Sequence, residues 1–152
     1  MDEEELADFS LVLNRTPEDI QQEIGDMVLA YPNIQNPVEI CEKLLGQYVV
    51  IQELYQISKG RYIRWINPEN GKLVHGGIVL DVQFKQETTE NENTEENNNE
   101  TKNPKKTGVY ILCKSINGGV FYVQYSNTLI FQKLKPREVL YLELLGSQMD
   151  KN

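Results

Sequence analysis

Few residues in this chain are of a type that could do chemistry. It holds one histidine, His75, and two cysteines, Cys41 and Cys113. Any histidine-dependent dyad must use His75, whose neighbours are Val74 and Gly76, and no GxSxG turn occurs anywhere. His75 therefore reads as a surface residue on a strand. One histidine and two distant cysteines cannot supply the usual four ligands of zinc. Gly118-Gly119 lacks the following Lys-Ser/Thr of a phosphate loop, and neither it nor Gly76-Gly77 opens a helix. Asp81 and Glu69 are single carboxylates with no positioned partner. The expectation is a protein that is not an enzyme and uses no cofactor or metal.

Binding is the remaining possibility, and charge says where to look. The net charge of −8 is segregated: residues 1–58 carry −10 and 87–104 carry −5, whereas 59–86 carry +3 and 105–137 carry +6. Such asymmetry points either to a polyanionic partner or to the acidic N-terminal part lying against the basic part. The run KGRYIRWINPENGKLVHGGIVLDV, residues 59–82, concentrates basic residues around the only tryptophan. On a strand, Tyr62 and Arg64 face one way while Ile63 and Trp65 face the other. An outward surface of Lys59, Arg61, Tyr62, Arg64, Lys72 and Lys85, joined by Lys114 and Tyr122, is the candidate partner-binding site. Basic residues would meet phosphates there and aromatics would stack on bases. The competing expectation is a packed sheet, with Trp65 in the core and the tyrosines as ordinary strand residues.

The elements that position these residues follow from pattern. Residues 1–15 read as a flexible acidic N-terminus with a small apolar cluster, Phe9, Leu11, Val12 and Leu13, able to pack back. Residues 16–46 form a helical N-terminal extension. Thr16-Pro17-Glu18-Asp19 is a helix start, with Ile20, Ile24, Met27, Val28 and Tyr31 on one face until Pro32. Asn36-Pro37 starts a second helix with Val38, Cys41, Leu44 and Leu45 inward. A domain at 47–145 comes next, followed by a flexible tail at 146–152. Its first stretch, 47–57, fits strand or helix, with strand favoured. Five firmer strands follow at 61–67, 72–85, 108–116, 120–125 and 128–134. Along 72–85, Val74, Gly76, Ile78, Leu80, Val82 and Phe84 share one face of a half-buried strand. The loop 86–107 is Asn/Glu/Thr-rich, without an aliphatic or aromatic residue, and reads as disordered. Pro136 opens a last helix that is too apolar to stand free.

Short antiparallel strands with one long second strand, bent at Gly76-Gly77, predict an α+β, mainly β architecture. It is a small five- to six-stranded SH3-like or Sm-like barrel with two N-terminal helices and one C-terminal helix. Residues 59–85 and 108–145, with the runs KGRYIRWINPENGKLVHGGIVLDV and YSNTLIFQKLKPREVLYL, resemble small uncharacterised proteins of nucleocytoplasmic large DNA viruses. That resemblance implies a viral setting and no particular activity. The isolated cysteines, the acidic N-terminus and the absence of a run near 20 apolar residues predict an intracellular or virion protein that is neither secreted nor in a membrane. Two functions are expected in competition. One is a protein-interaction or structural module in a larger assembly; the other is a nucleic-acid-binding small barrel.

Overall fold

Thr16 begins the first helix, α1 (Pro17–Ala30), in the way its residue types dictate. Its hydroxyl accepts from the Asp19 N–H at 3.0 Å and the Asp19 carboxylate accepts from the Thr16 N–H at 2.9 Å, closing a capping box behind Pro17. Ile20, Ile24 and Val28 are its buried stripe, and α2 (Pro37–Leu44) buries Ile40 and Leu44. The computed structural model describes residues 9–86 and 107–150. The expected disordered loop lies almost wholly outside the described residues, as do residues 1–8 and 151–152. Within the expected loose lead, Phe9, Leu11 and Val12 are buried in the core. Their apolar surface outweighs the entropy of ordering a short turn.

Six antiparallel strands follow: β1 (Tyr48–Val50), β2 (Tyr62–Trp65), β3 (Gly77–Lys85), β4 (Gly108–Lys114), β5 (Val120–Gln124) and β6 (Ile130–Lys133). The segment 47–57 divides between strand β1 and a single 3-10 turn at Leu54–Gln56. The sheet order is β1-β6-β2-β3-β4-β5, so β1 and β5 are its two edges and the pairing does not close into a ring. The last helix, α3 (Pro136–Asp150), continues through residues expected to be a loose tail. The described residues are thus α+β, with a six-stranded antiparallel sheet and three α-helices. No helix among the described residues is long and apolar enough to cross a membrane.

The long second strand is corrected in two ways. Regular pairing starts only at Gly77; before it, a lone bridge joins Leu73 to Ile66. The side chains also sit on the opposite face from the one expected. Gly77 and Val79 are buried, while Ile78 is 45% and Leu80 39% exposed. The register then slips between Val79 and Asp81, where Leu80 is the extra residue of a bulge, and this returns Val82 to the core side. Gly76 and Gly77 are required by close approach. A Cβ on Gly76, whose φ is +98°, would lie 2.0 Å from the Ile63 carbonyl oxygen, and one on Gly77 would lie 2.7 Å from that of Lys114.

Two apolar clusters occupy the two faces of the sheet. One joins the helices to β1 and β6 through residues such as Val12, Ile24, Leu44, Val49 and Phe131. The other fills the inner face with Ile63, Val79, Ile111, Cys113, Val123 and Ile130, and Trp65 packs against it, 5.5 Å from Phe121. Alternation along β2 sends Ile63 and Trp65 to the second cluster, whereas Tyr62 and Ile66 meet the first.

Candidate functional site

Seven of the eight residues proposed from sequence as one surface fall into two groups, and Lys72 lies in neither. Arg61, Tyr62 and Arg64 make hydrogen bonds within the fold, Arg61 buried and the other two half-buried. Arg61 is 9% exposed. Its two terminal nitrogens each donate to one carboxylate oxygen of Glu138 at 2.9 Å, and one also donates to the Lys133 carbonyl at 2.9 Å. Glu138 sits in the first turn of α3 and reaches back to accept the Lys135 N–H at 2.7 Å, so its buried charge meets a guanidinium and the positive end of a helix. The Tyr62 hydroxyl donates to the His75 carbonyl, and Arg64 Nε donates to the Val74 carbonyl at 2.9 Å. These bonds hold the irregular stretch before β3 against β2. Burial raises the Tyr48 phenol above its ordinary pKa, partly offset by the nearby Arg64 guanidinium.

The second group lies on the outer face of β3–β5. Register places Ile78, Lys114 and Val120 in one cross-strand row there, and Asp81, Leu112 and Tyr122 in the next. Lys85 Nζ lies 5.8 Å from the centre of the Tyr122 ring, which meets Tyr110 edge-on at 6.3 Å. Lys59 reaches the same face and pairs with Asp81 at 3.5 Å. Hydrogen bonds from Gln83 and the Val82 N–H, with Lys59 nearby, hold the Asp81 carboxyl below its ordinary pKa. Lys72 stands apart, exposed in the turn between β2 and β3. The eight residues are not presented as one open surface: Arg61 is turned into the buried pair with Glu138 and Lys72 stands in the turn, whereas Tyr62, opposite Ile78, continues the row that holds Lys114 and is half-buried there.

Chemistry elsewhere is sparse. Cys41 and Cys113 are free thiols, and burial pushes Cys113 up to about 12, far from a reactive thiolate. Gln132 is fully buried on β6 and was not anticipated. Its side-chain oxygen accepts from Ser58 N–H at 3.0 Å and its amide donates to the Gln56 carbonyl at 3.0 Å, pinning the 3-10 turn to the sheet. Among the described residues, no group of three or more His, Cys, Asp and Glu is placed to hold a metal ion.

A further surface, on the helical layer, escaped the sequence reading. Leu29 on α1, Val38 on α2 and Leu45 just beyond α2 are 73%, 71% and 60% exposed. With Gly25 and Cys41 they floor an open groove between the two helices, walled by Glu42. Pattern places Val38, Cys41, Leu44 and Leu45 on the inward face of α2; Leu44 is buried as expected, joined by Ile40, while Val38 and Leu45 are exposed. In a helix of eight residues, several apolar stripes compete, and only the packed partner selects one. The signal that was legible was the surplus: the two helices carry more apolar residues than one buried face can hold. No protein-family model, curated protein or solved structure matches the chain.

Proposed function

We propose that this protein is a non-enzymatic protein-interaction module that works within a larger assembly. One observation carries the reading: Leu29, Val38 and Leu45 stand exposed side by side on two helices that the core holds rigidly. A concave apolar surface rimmed by polar residues is the common form of a protein-docking site. The pairing of Arg61 with Glu138 also takes one positive charge off the surface that favoured a polyanion. The viral setting rests on the resemblance of residues 59–85 and 108–145 alone, and an intracellular or virion location on the isolated cysteines and the acidic N-terminus. In this reading the sheet is an SH3-like roll that stops short of closure, supported by the bend at Gly76-Gly77 and the bulge at Leu80.

The test replaces Leu29, Val38 and Leu45 together by serine. All three are exposed, so the fold is expected to persist by circular dichroism. Affinity capture followed by reconstitution with the purified, identified partner should show a complex with the wild type that the variant loses. A complex unchanged by the three substitutions overturns the reading.

A second reading, nucleic-acid binding, is favoured by Lys85 over the Tyr122 ring with Lys114 on the same sheet face. It requires binding to single- or double-stranded DNA or RNA at low salt, weakened by Lys85→Ala with Lys114→Ala. No binding at low salt eliminates it.

A further inference from the structure

The groove between α1 and α2 has a chemistry of its own, and this inference rests on the interaction-module reading. Its floor is apolar and side-chain-sized: Gly25, Leu29, Val38, Cys41 and Leu45 enclose about 320 Å³, room for side chains and not merely for single waters. Its surroundings are acidic. Residues 16–46 carry six acids against the single base Lys43. Lys43 faces Glu39 at 3.8 Å, and Arg15, just before the helix, is held by Glu23 at 2.6 Å. Both positive charges are thus directed at acids of the pair itself. Glu42 forms part of the groove wall. Asp26, exposed next to Gly25, accepts from the Gln22 side-chain amide at 3.1 Å, and Glu18, also exposed, stands two turns before Gly25.

Gly25 supplies an independent observation. It lies in the middle of a 14-residue helix, where glycine costs about 1 kcal/mol relative to alanine. Nothing among the described residues requires it, because a Cβ built there meets none of their atoms within 4 Å. Its effect is to keep the groove floor open for something that approaches the α1 backbone.

We propose that this groove receives an amphipathic basic helix of another protein, its apolar ridge on Gly25, Leu29, Val38 and Leu45 and its lysines or arginines on Glu42, Asp26 and Glu18. Such a helix reads as apolar anchors at i, i+4 and i+7 with flanking positive charge. The chain's own segments do not qualify: residues 1–8 are acidic, and 87–106 contain no aliphatic or aromatic residue. A second copy meeting it groove to groove would set the six acids and single base of residues 16–46 against the same set.

The probes are three synthetic helical peptides of about 16 residues, enough to span α1. They share one leucine ridge and carry lysine, serine or glutamate on the remaining face. Titration against the full chain is followed by backbone amide shifts and by fluorescence anisotropy. The lysine peptide should move amides of residues 21–29 and 38–45 and bind at least about tenfold more tightly than the serine peptide, with the glutamate peptide weakest. Raising the salt should narrow that difference. Gly25→Leu, whose Cβ has open space and whose side chain occupies the groove, should abolish binding, and Asp26→Asn with Glu42→Gln should bring the lysine peptide down to the serine peptide.

Equal binding of the lysine and serine peptides in the groove overturns the basic partner while leaving the interaction module standing. Failure of all three peptides, or shifts confined to other surfaces, overturns the docking groove itself. A dimer in sedimentation that Gly25→Leu dissolves assigns the groove to a second copy and overturns the proposal.

Discussion

Arg61 shows how a single residue changes meaning between sequence and structure. Its charge and its place beside Tyr62 suggested an outward contact, but Glu138, 77 positions away, takes both of its terminal nitrogens in a buried pair. Breaking such a pair leaves one charge desolvated and alone. Arg61→Ala or Glu138→Ala is therefore expected to cost about 3–5 kcal/mol in denaturant unfolding. Arg61→Met combined with Glu138→Leu should recover most of that loss, because apolar groups of similar volume need no counter-charge. A single variant as stable as the wild type would contradict the buried pair. Neither substitution suits a binding assay, since either acts first on the fold.

At the scale of elements, two glycines with opposite consequences separate the requirements of the fold from those of the groove. Gly76 sits at φ +98° against the Ile63 carbonyl, so Gly76→Ala should destabilise by at least about 2 kcal/mol. Gly25 lies in open space within α1, so Gly25→Ala should stabilise by about 0.5–1 kcal/mol. Denaturation midpoints of the two variants should move in opposite directions. A Gly25→Ala protein less stable than the wild type would mean that the helix needs this glycine for its own packing. β3 makes a related point: one extra residue at Leu80 exchanges the two faces of the strand, and pure alternation cannot express that exchange.

Across the whole molecule, the two apolar clusters are separate in space but share strands. β6 places Phe131 in the helical cluster and Ile130 in the inner one, and β2 divides Tyr62 and Ile63 likewise. Neither cluster can lose its packing without disturbing strands that serve the other. Unfolding followed by Trp65 fluorescence, which reports on the inner cluster, should coincide with unfolding followed by far-ultraviolet circular dichroism. Two transitions separated in denaturant would show the helical layer and the sheet to be independent units. The N-terminal turn belongs to the same unit, since the Phe9 ring lies 5.5 Å from Tyr141 and under the Arg137 guanidinium at 5.3 Å.

The amino-acid sequence by itself determined what depends on neighbours a few positions away. Thr16 through Asp19 start α1 by a local capping box, and proline at position 37 opens α2. Turn signals and runs of β-branched and aromatic residues made the later strands legible, although the regular pairing of β3 begins five residues after its expected start. The segregation of charge was also plain. Only the tertiary structure decided which face of β3 is inward, which partner Arg61 finds and which apolar stripe of α2 remains uncovered. β6 enters the sheet between β1 and β2, more than 60 residues after β2 begins, and that insertion sets which faces the helices cover. These outcomes rest on contacts between residues distant in the chain, whose energies no local window contains. The opening of the α1–α2 groove is of the same kind, since an apolar side chain becomes a docking surface only when the finished core has no place for it.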